Sequence, residues 1–226
     1  MLRPAACGYL AGMTASPHCL AWAAILLAMT ACATAPPAPG NLPSPQTEVS
    51  QAAPAAAFFA GLAALCGKAY AGRVVVDTPT PAKDPFAGKA LVMHVRECRA
   101  DVIRIPFHVG DDRSRTWVIS RTASALRLKH DHRHQDGSED AVTQYGGDTV
   151  DAGTAQRQAF PADAASKAMF LREGLAVSVD NIWAIELVPG RSFTYELTRP
   201  NGRLFRVEFD LTTPVVAPPA PWGVGT

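Results

Sequence analysis

The chain of 226 residues has a basic surplus of a single charge, 21 Lys and Arg against 20 Asp and Glu. Arg3 is the only charged side chain before residue 33, so the remainder carries as many acidic as basic groups. Phosphate backbones are held by excess Lys and Arg, and the balance here argues against an electrostatically driven nucleic-acid binder. Catalytic signatures are missing too: there is no Gly-x-Ser-x-Gly, no His-Glu-x-x-His, no Walker loop and no dinucleotide fingerprint. No catalytic residue is therefore nominated, and no cofactor is expected apart from a divalent metal considered below. The apolar run from Leu20 to Met29 reaches only about 16 residues with its small-residue tail, against the roughly 20 that span a bilayer as a helix. What is present, 48% hydrophobic and 18% charged residues, excludes a chain that is disordered or fibrous throughout.

That apolar run follows Arg3 and His18 and leads into small residues, the order of an export signal, which we assign to residues 1–31. Met29-Thr30-Ala31-Cys32 resembles the lipobox of bacterial lipoproteins, although the family usually has Leu where Met29 stands. The resemblance implies cleavage before Cys32, acylation of its thiol and a membrane anchor. Ala33, rather than Asp, follows the Cys, which in that family is compatible with passage to the outer membrane. The alternative is cleavage at Ala31-Cys32-Ala33 as a small-x-small site, giving a periplasmic or secreted protein. Residues 32–54 hold Pro36, Pro37, Pro39, Pro43, Pro45 and Pro54 and almost no bulky apolar side chains, so they read as a tether.

Cysteine use fits an oxidising compartment. Cys66 and Cys98 remain in the body, where a bridge would close a loop of about 30 residues and contribute about 3 kcal/mol in the chain-entropy account. Two buried thiols are the alternative. Residues 55–214 form the expected domain and 215–226 a Pro-rich tail. Phe58, Phe59, Leu62 and Leu65 recur at helical spacing within Ala55 to Cys66, with Gly67 to end the helix. Strand-like runs follow at Lys68 to Asp77, Ala90 to Cys98, Val102 to Val109, Arg115 to Arg121, Ala125 to His134 and Ala141 to Tyr145. A second helix is expected at Ala164 to Leu171 with Asp163 as its N-cap, before strands at Asn181 to Val188, Ser192 to Thr198 and Leu204 to Leu211. Gly146-Gly147 reads as one of the intervening turns.

The last hairpin has a definite register. Treating Pro200-Asn201-Gly202 as a three-residue loop with Gly202 left-handed pairs Leu197 with Phe205 and Tyr195 with Val207, which buries both apolar rows together. About nine strands in meander order, with one opening and one inserted short helix, predict a mainly β fold: an antiparallel up-and-down barrel of lipocalin or calycin type, with a β-sandwich as the alternative. The lipocalin Gly-x-Trp is replaced by Gly67-Lys68-Ala69-Tyr70, so the likeness extends to strand count and order and brings no ligand with it.

Leu126-Arg127-Leu128-Lys129-His130-Asp131-His132-Arg133-His134 is the most unusual segment. Alternation on a strand puts Leu126, Leu128, His130, His132 and His134 on one inward face, and Arg127, Lys129, Asp131 and Arg133 on a face that meets water. Neighbouring imidazoles about 6.8 Å apart could converge on a Zn ion, whereas His130 and His134, about 13.6 Å apart, cannot readily share one. A metal site built from two of His130, His132 and His134 would need further ligands from other strands, and His94 and His108 lie on the polar faces of theirs. The plainer expectation is a rim of neutral, hydrogen-bonded histidines; a third is a proton switch between about pH 5 and 8. Phe107, Trp117, Leu126, Leu128, Trp183 and Tyr195 are the candidate lining of a ligand cavity, with plain core as the alternative. Arg113, Arg115, Arg121 and Arg127 read first as a solvated, salt-bridged face and second as groups for an anionic ligand.

The run from His130 to Gly137, Tyr145-Gly146-Gly147 and the stretch from Tyr195 to Pro214 together resemble a family of uncharacterised exported bacterial proteins, over most of residues 56–214. The resemblance implies an envelope location and no activity. The leading functional expectation is a non-catalytic envelope lipoprotein whose barrel binds a small apolar or amphipathic molecule. A metal-binding protein built on the histidines, and a structural or interaction protein without a pocket, are the alternatives.

Overall fold

A computed structural model describes residues 46–224; the expected leader, Cys32 and the tether up to residue 45 lie outside them. Two helices, α1 (Gln46–Ala63) and α2 (Ala164–Arg172), accompany eleven strands. These are β1 (Ala69–Thr78), β2 (Leu91–His94), β3 (Glu97–Cys98), β4 (Val102–Val109), β5 (Asp112–Arg121), β6 (Leu126–His132), β7 (Tyr145–Asp148), β8 (Arg157–Pro161), β9 (Ile182–Val188), β10 (Ser192–Thr198) and β11 (Leu204–Asp210).

All strand pairs are antiparallel, and one continuous path runs β7-β6-β5-β4-β2-β1-β11-β10-β9-β8, with the short β3 attached to β4. The first and last strands pair with each other, so the sheet curls into a nearly closed up-and-down barrel whose seam falls in mid-chain, between β7 and β8. A sandwich would require two separate sheets face to face, and the single path sets that alternative aside. The seam is made by glycine. A Cβ on Gly147 would stand 1.8 Å from the Pro161 carbonyl oxygen, so only a residue without a side chain lets β7 approach this closely. The Asp163 amide donates to the Gly146 carbonyl at 2.8 Å, and the Gly146 amide donates to Ser166 Oγ at 2.8 Å.

This corrects two expectations. The strand placed at Ala141 to Tyr145 lies instead at Tyr145–Asp148, and Gly146-Gly147 form part of it rather than a turn. β8 was not expected at all, because Pro161 and the polar run before it hide the alternation of buried Gln158 and Phe160. The final hairpin pairs Leu197 with Phe205 and Tyr195 with Val207, with Gly202 at φ 86°, as its apolar rows require.

One barrel end is plugged. α1 lays Phe58, Phe59 and Leu62 into the core against the β8 and β9 side, and Arg121 at the end of β5 sits over the Phe59 ring at 5.4 Å. Cys66, just past this helix, is bridged to Cys98 on β3, their Cα atoms 6.2 Å apart, which ties the plug to the wall. The helix begins at Gln46, so the last part of the expected tether is helical; its Ala-rich sequence favours that state despite Pro54. The Pro-rich tail is no free appendage either. Val215 bonds to Ala69 on β1 and the Trp222 amide donates to the Arg113 carbonyl at 3.1 Å, so the tail crosses the outer face of the barrel.

Candidate functional site

Alternation on β4, β5 and β6 aims Phe107, Trp117 and His130 into the barrel at the end opposite the plug. Trp117 is registered with His130 and His130 with Tyr145, giving a lateral row of rings across β5, β6 and β7, while Phe107 stands two residues nearer the mouth on β4, opposite Arg115. Trp117 stacks on Tyr195 at 4.6 Å between ring centroids and on Phe107 at 4.9 Å. His130 stacks on Tyr145 at 4.4 Å and lies 5.0 Å from Trp183. Above this floor is a cavity of about 300 Å³. Such a volume is at the lower end of small-molecule sites.

Of the expected lining, Phe107, Trp117, Trp183 and Tyr195 face the cavity together with His130 and His132. Leu126 and Leu128 do not: they are buried in the packed core, nearer the plugged end, and neither lines this cavity. Phe86 from the β1–β2 connection and Leu175 beyond α2 complete the apolar wall.

His130 is 3% exposed and its two ring nitrogens are both engaged. Nδ1 lies 3.0 Å from the Tyr145 carbonyl oxygen, and because a carbonyl only accepts, the proton sits on Nδ1. Nε2 is left to accept from the Tyr195 hydroxyl at 2.8 Å. His132 stands nearer the mouth, its Nε2 3.1 Å from the Tyr145 hydroxyl. Burial pushes His130 down to about 3, and burial with the nearby Arg115 charge pushes His132 down to about 4. Both rings therefore stay neutral between pH 5 and 8, which corrects the expectation of a proton switch in that range.

The inward row ends at His132. His134 lies past the strand end and is exposed, its amide donating to the Ser138 carbonyl at 2.8 Å, because the chain turns at Asp136-Gly137. His94 and His108 are buried on the opposite, outer side of their strands, away from the cavity. Among the described residues no three His, Cys, Asp or Glu side chains are gathered as a metal ion would need.

The charged side of β6 also differs from expectation. Asp131 is only 8% exposed, flanked by Arg133 at 3.0 Å and Arg104 at 3.6 Å and roofed by the C-terminal tail. Lys129 pairs with Asp163 at 2.6 Å and Arg127 with Asp148 at 2.6 Å. Of the four arginines singled out in sequence, Arg115 alone lines the cavity, paired with Asp112 at 2.5 Å. Sequence reasoning missed Arg199 and Arg203, which also stand at the mouth. The signal was available: both flank the Pro200-Asn201-Gly202 loop, and the chosen register puts that loop at a barrel end.

No family model matches this chain, and neither the curated proteins nor the solved structures give a match. The fold and the cavity are therefore the basis for a functional reading.

Proposed function

We propose that this is an exported bacterial envelope lipoprotein, anchored through an acylated Cys32 in the outer membrane, whose barrel binds a small apolar or amphipathic molecule without transforming it. The observation that carries the binding reading is the aromatic-floored cavity of about 300 Å³ at the unplugged barrel end. Apolar rings contribute transfer free energy to a ligand, while the Tyr195 hydroxyl is already paired with His130 and the Tyr145 hydroxyl with His132, so neither needs a ligand bond. The lipobox-like Met29-Thr30-Ala31-Cys32 supports the anchor, and the Cys66–Cys98 bridge is consistent with an oxidising compartment.

Each half has its own test. In a bacterial host, the full chain should incorporate labelled palmitate and Cys32→Ser should not; equal labelling of both would refute the anchor. Native mass spectrometry of the envelope-purified protein should show a small organic molecule that dissociates on activation. A bare mass, together with no uptake of a fluorescent apolar probe, would refute the binding reading.

A further inference from the structure

The cavity has an asymmetric charge. Its lining includes Arg115, Arg199 and Arg203 and no Asp or Glu. Two of these guanidiniums are already compensated from outside the lining, Arg115 by Asp112 and Arg203 by Asp77. Arg199 is different. Its hydrogen-bond partners are neutral: Nε donates to Asn181 Oδ1 at 2.5 Å, and Nη2 donates to Ser178 Oγ at 3.3 Å. It forms no salt bridge with any described residue, although it is half-buried.

We propose that the cavity takes a small amphipathic anion, its carboxylate or other oxyanion head held by Arg199 at the mouth and its apolar body against Trp117, Trp183 and Tyr195. This rests on the binding reading above and narrows it to a chemical class. A half-buried cation without a counter-charge is costly, and a planar guanidinium fixed by two neutral acceptors is arranged to donate its remaining N–H groups to an oxyanion. Burial first, and the Arg203 charge second, pull Arg199 below its ordinary value, so an anion arriving between them relieves repulsion. Deeper in, the neutral imidazoles of His130 and His132 add no charge. The cavity is thus cationic at the mouth and apolar at the floor, the same order as head and body in an amphipathic anion. A cationic ligand would meet three guanidiniums, and an uncharged one would leave Arg199 uncompensated.

The test uses tryptophan fluorescence of the folded chain titrated with decanoate, decyl phosphate and decanol. Decanoate or decyl phosphate should bind at least about 10-fold more tightly than decanol, and whichever of the two is tighter identifies the oxyanion. Arg199→Gln should remove most of that preference, weakening the anions by far more than decanol. Arg199→Lys, which keeps the charge, should retain part of it. Should Arg199→Gln fail to fold, the wild-type salt dependence decides: raising ionic strength from about 0.05 to about 0.5 M should weaken the anions and spare decanol. Equal binding of anions and alcohol, or an equal loss of both in Arg199→Gln, would overturn the anion assignment and leave the cavity reading intact. No binding by any of the three would overturn both.

Discussion

Tyr195 and His130 hold the floor of the cavity through one buried hydrogen bond, and the account can be tested there first. Tyr195→Phe keeps the ring stack with Trp117 but leaves His130 Nε2 as a buried acceptor without its donor. The expected cost is about 1 to 3 kcal/mol in urea denaturation; an unchanged midpoint would mean that the bond contributes nothing. The imidazoles also set an acid limit. Their folded values, about 3 for His130 and about 4 for His132 and His108, lie below the ordinary 6.5. Below pH 6.5 the unfolded chain therefore takes up protons that the folded barrel does not. Their contribution is fully present above about pH 6.5 and is lost as pH falls toward 4, by up to about 1.4 kcal/mol per pH unit for each ring. Urea midpoints should fall steadily from pH 7 to 4.5, and His108→Asn should flatten that slope. The inward direction of His130 and His132 was legible from strand alternation alone. Their neutrality was not, because it comes from rings on β7, β9 and β10 that are distant in sequence.

At the scale of elements, the seam between β7 and β8 is the least tolerant junction. In Gly147→Ala the new methyl would meet the Pro161 carbonyl, a backbone atom with no rotamer to escape into. Destabilisation of about 3 kcal/mol is expected in thermal or urea unfolding; a variant as stable as the parent would show that the seam is looser than described. This is also where sequence reading went furthest astray. Paired glycines ordinarily signal a turn, and here they serve close approach between strand edges, which depends on the chain returning through residues 149–156 to lay the end of β8 beside β7. Where a rule was local, as in the loop between β10 and β11, the register followed from the apolar rows. The burial of Asp131 could not be read from β6, since the groups that cover it come from Arg104 and from the tail around Trp222.

Taken together, the described residues 46–224 form a barrel closed at one end by a helix and opened at the other onto aromatic rings under an arginine mouth. Strand order was enough to anticipate the antiparallel barrel, although eleven strands stand where about nine were expected. The convergence of the arginines at one mouth was not legible, because Arg115 comes from the start of β5 while Arg199 and Arg203 come from both arms of the last hairpin, whose register gave only their own place at a barrel end.

The most direct test of the cavity uses its own indoles against one outside it. Trp117 and Trp183 face the cavity, and Trp222 belongs to the tail on the outer wall. In a ¹⁵N-resolved NMR titration with decanoate, the indole signals, assigned by single Trp→Phe variants, should shift for Trp117 and Trp183 and stay in place for Trp222. Shifts confined to Trp222, or none at saturating decanoate, would contradict a ligand site inside the barrel.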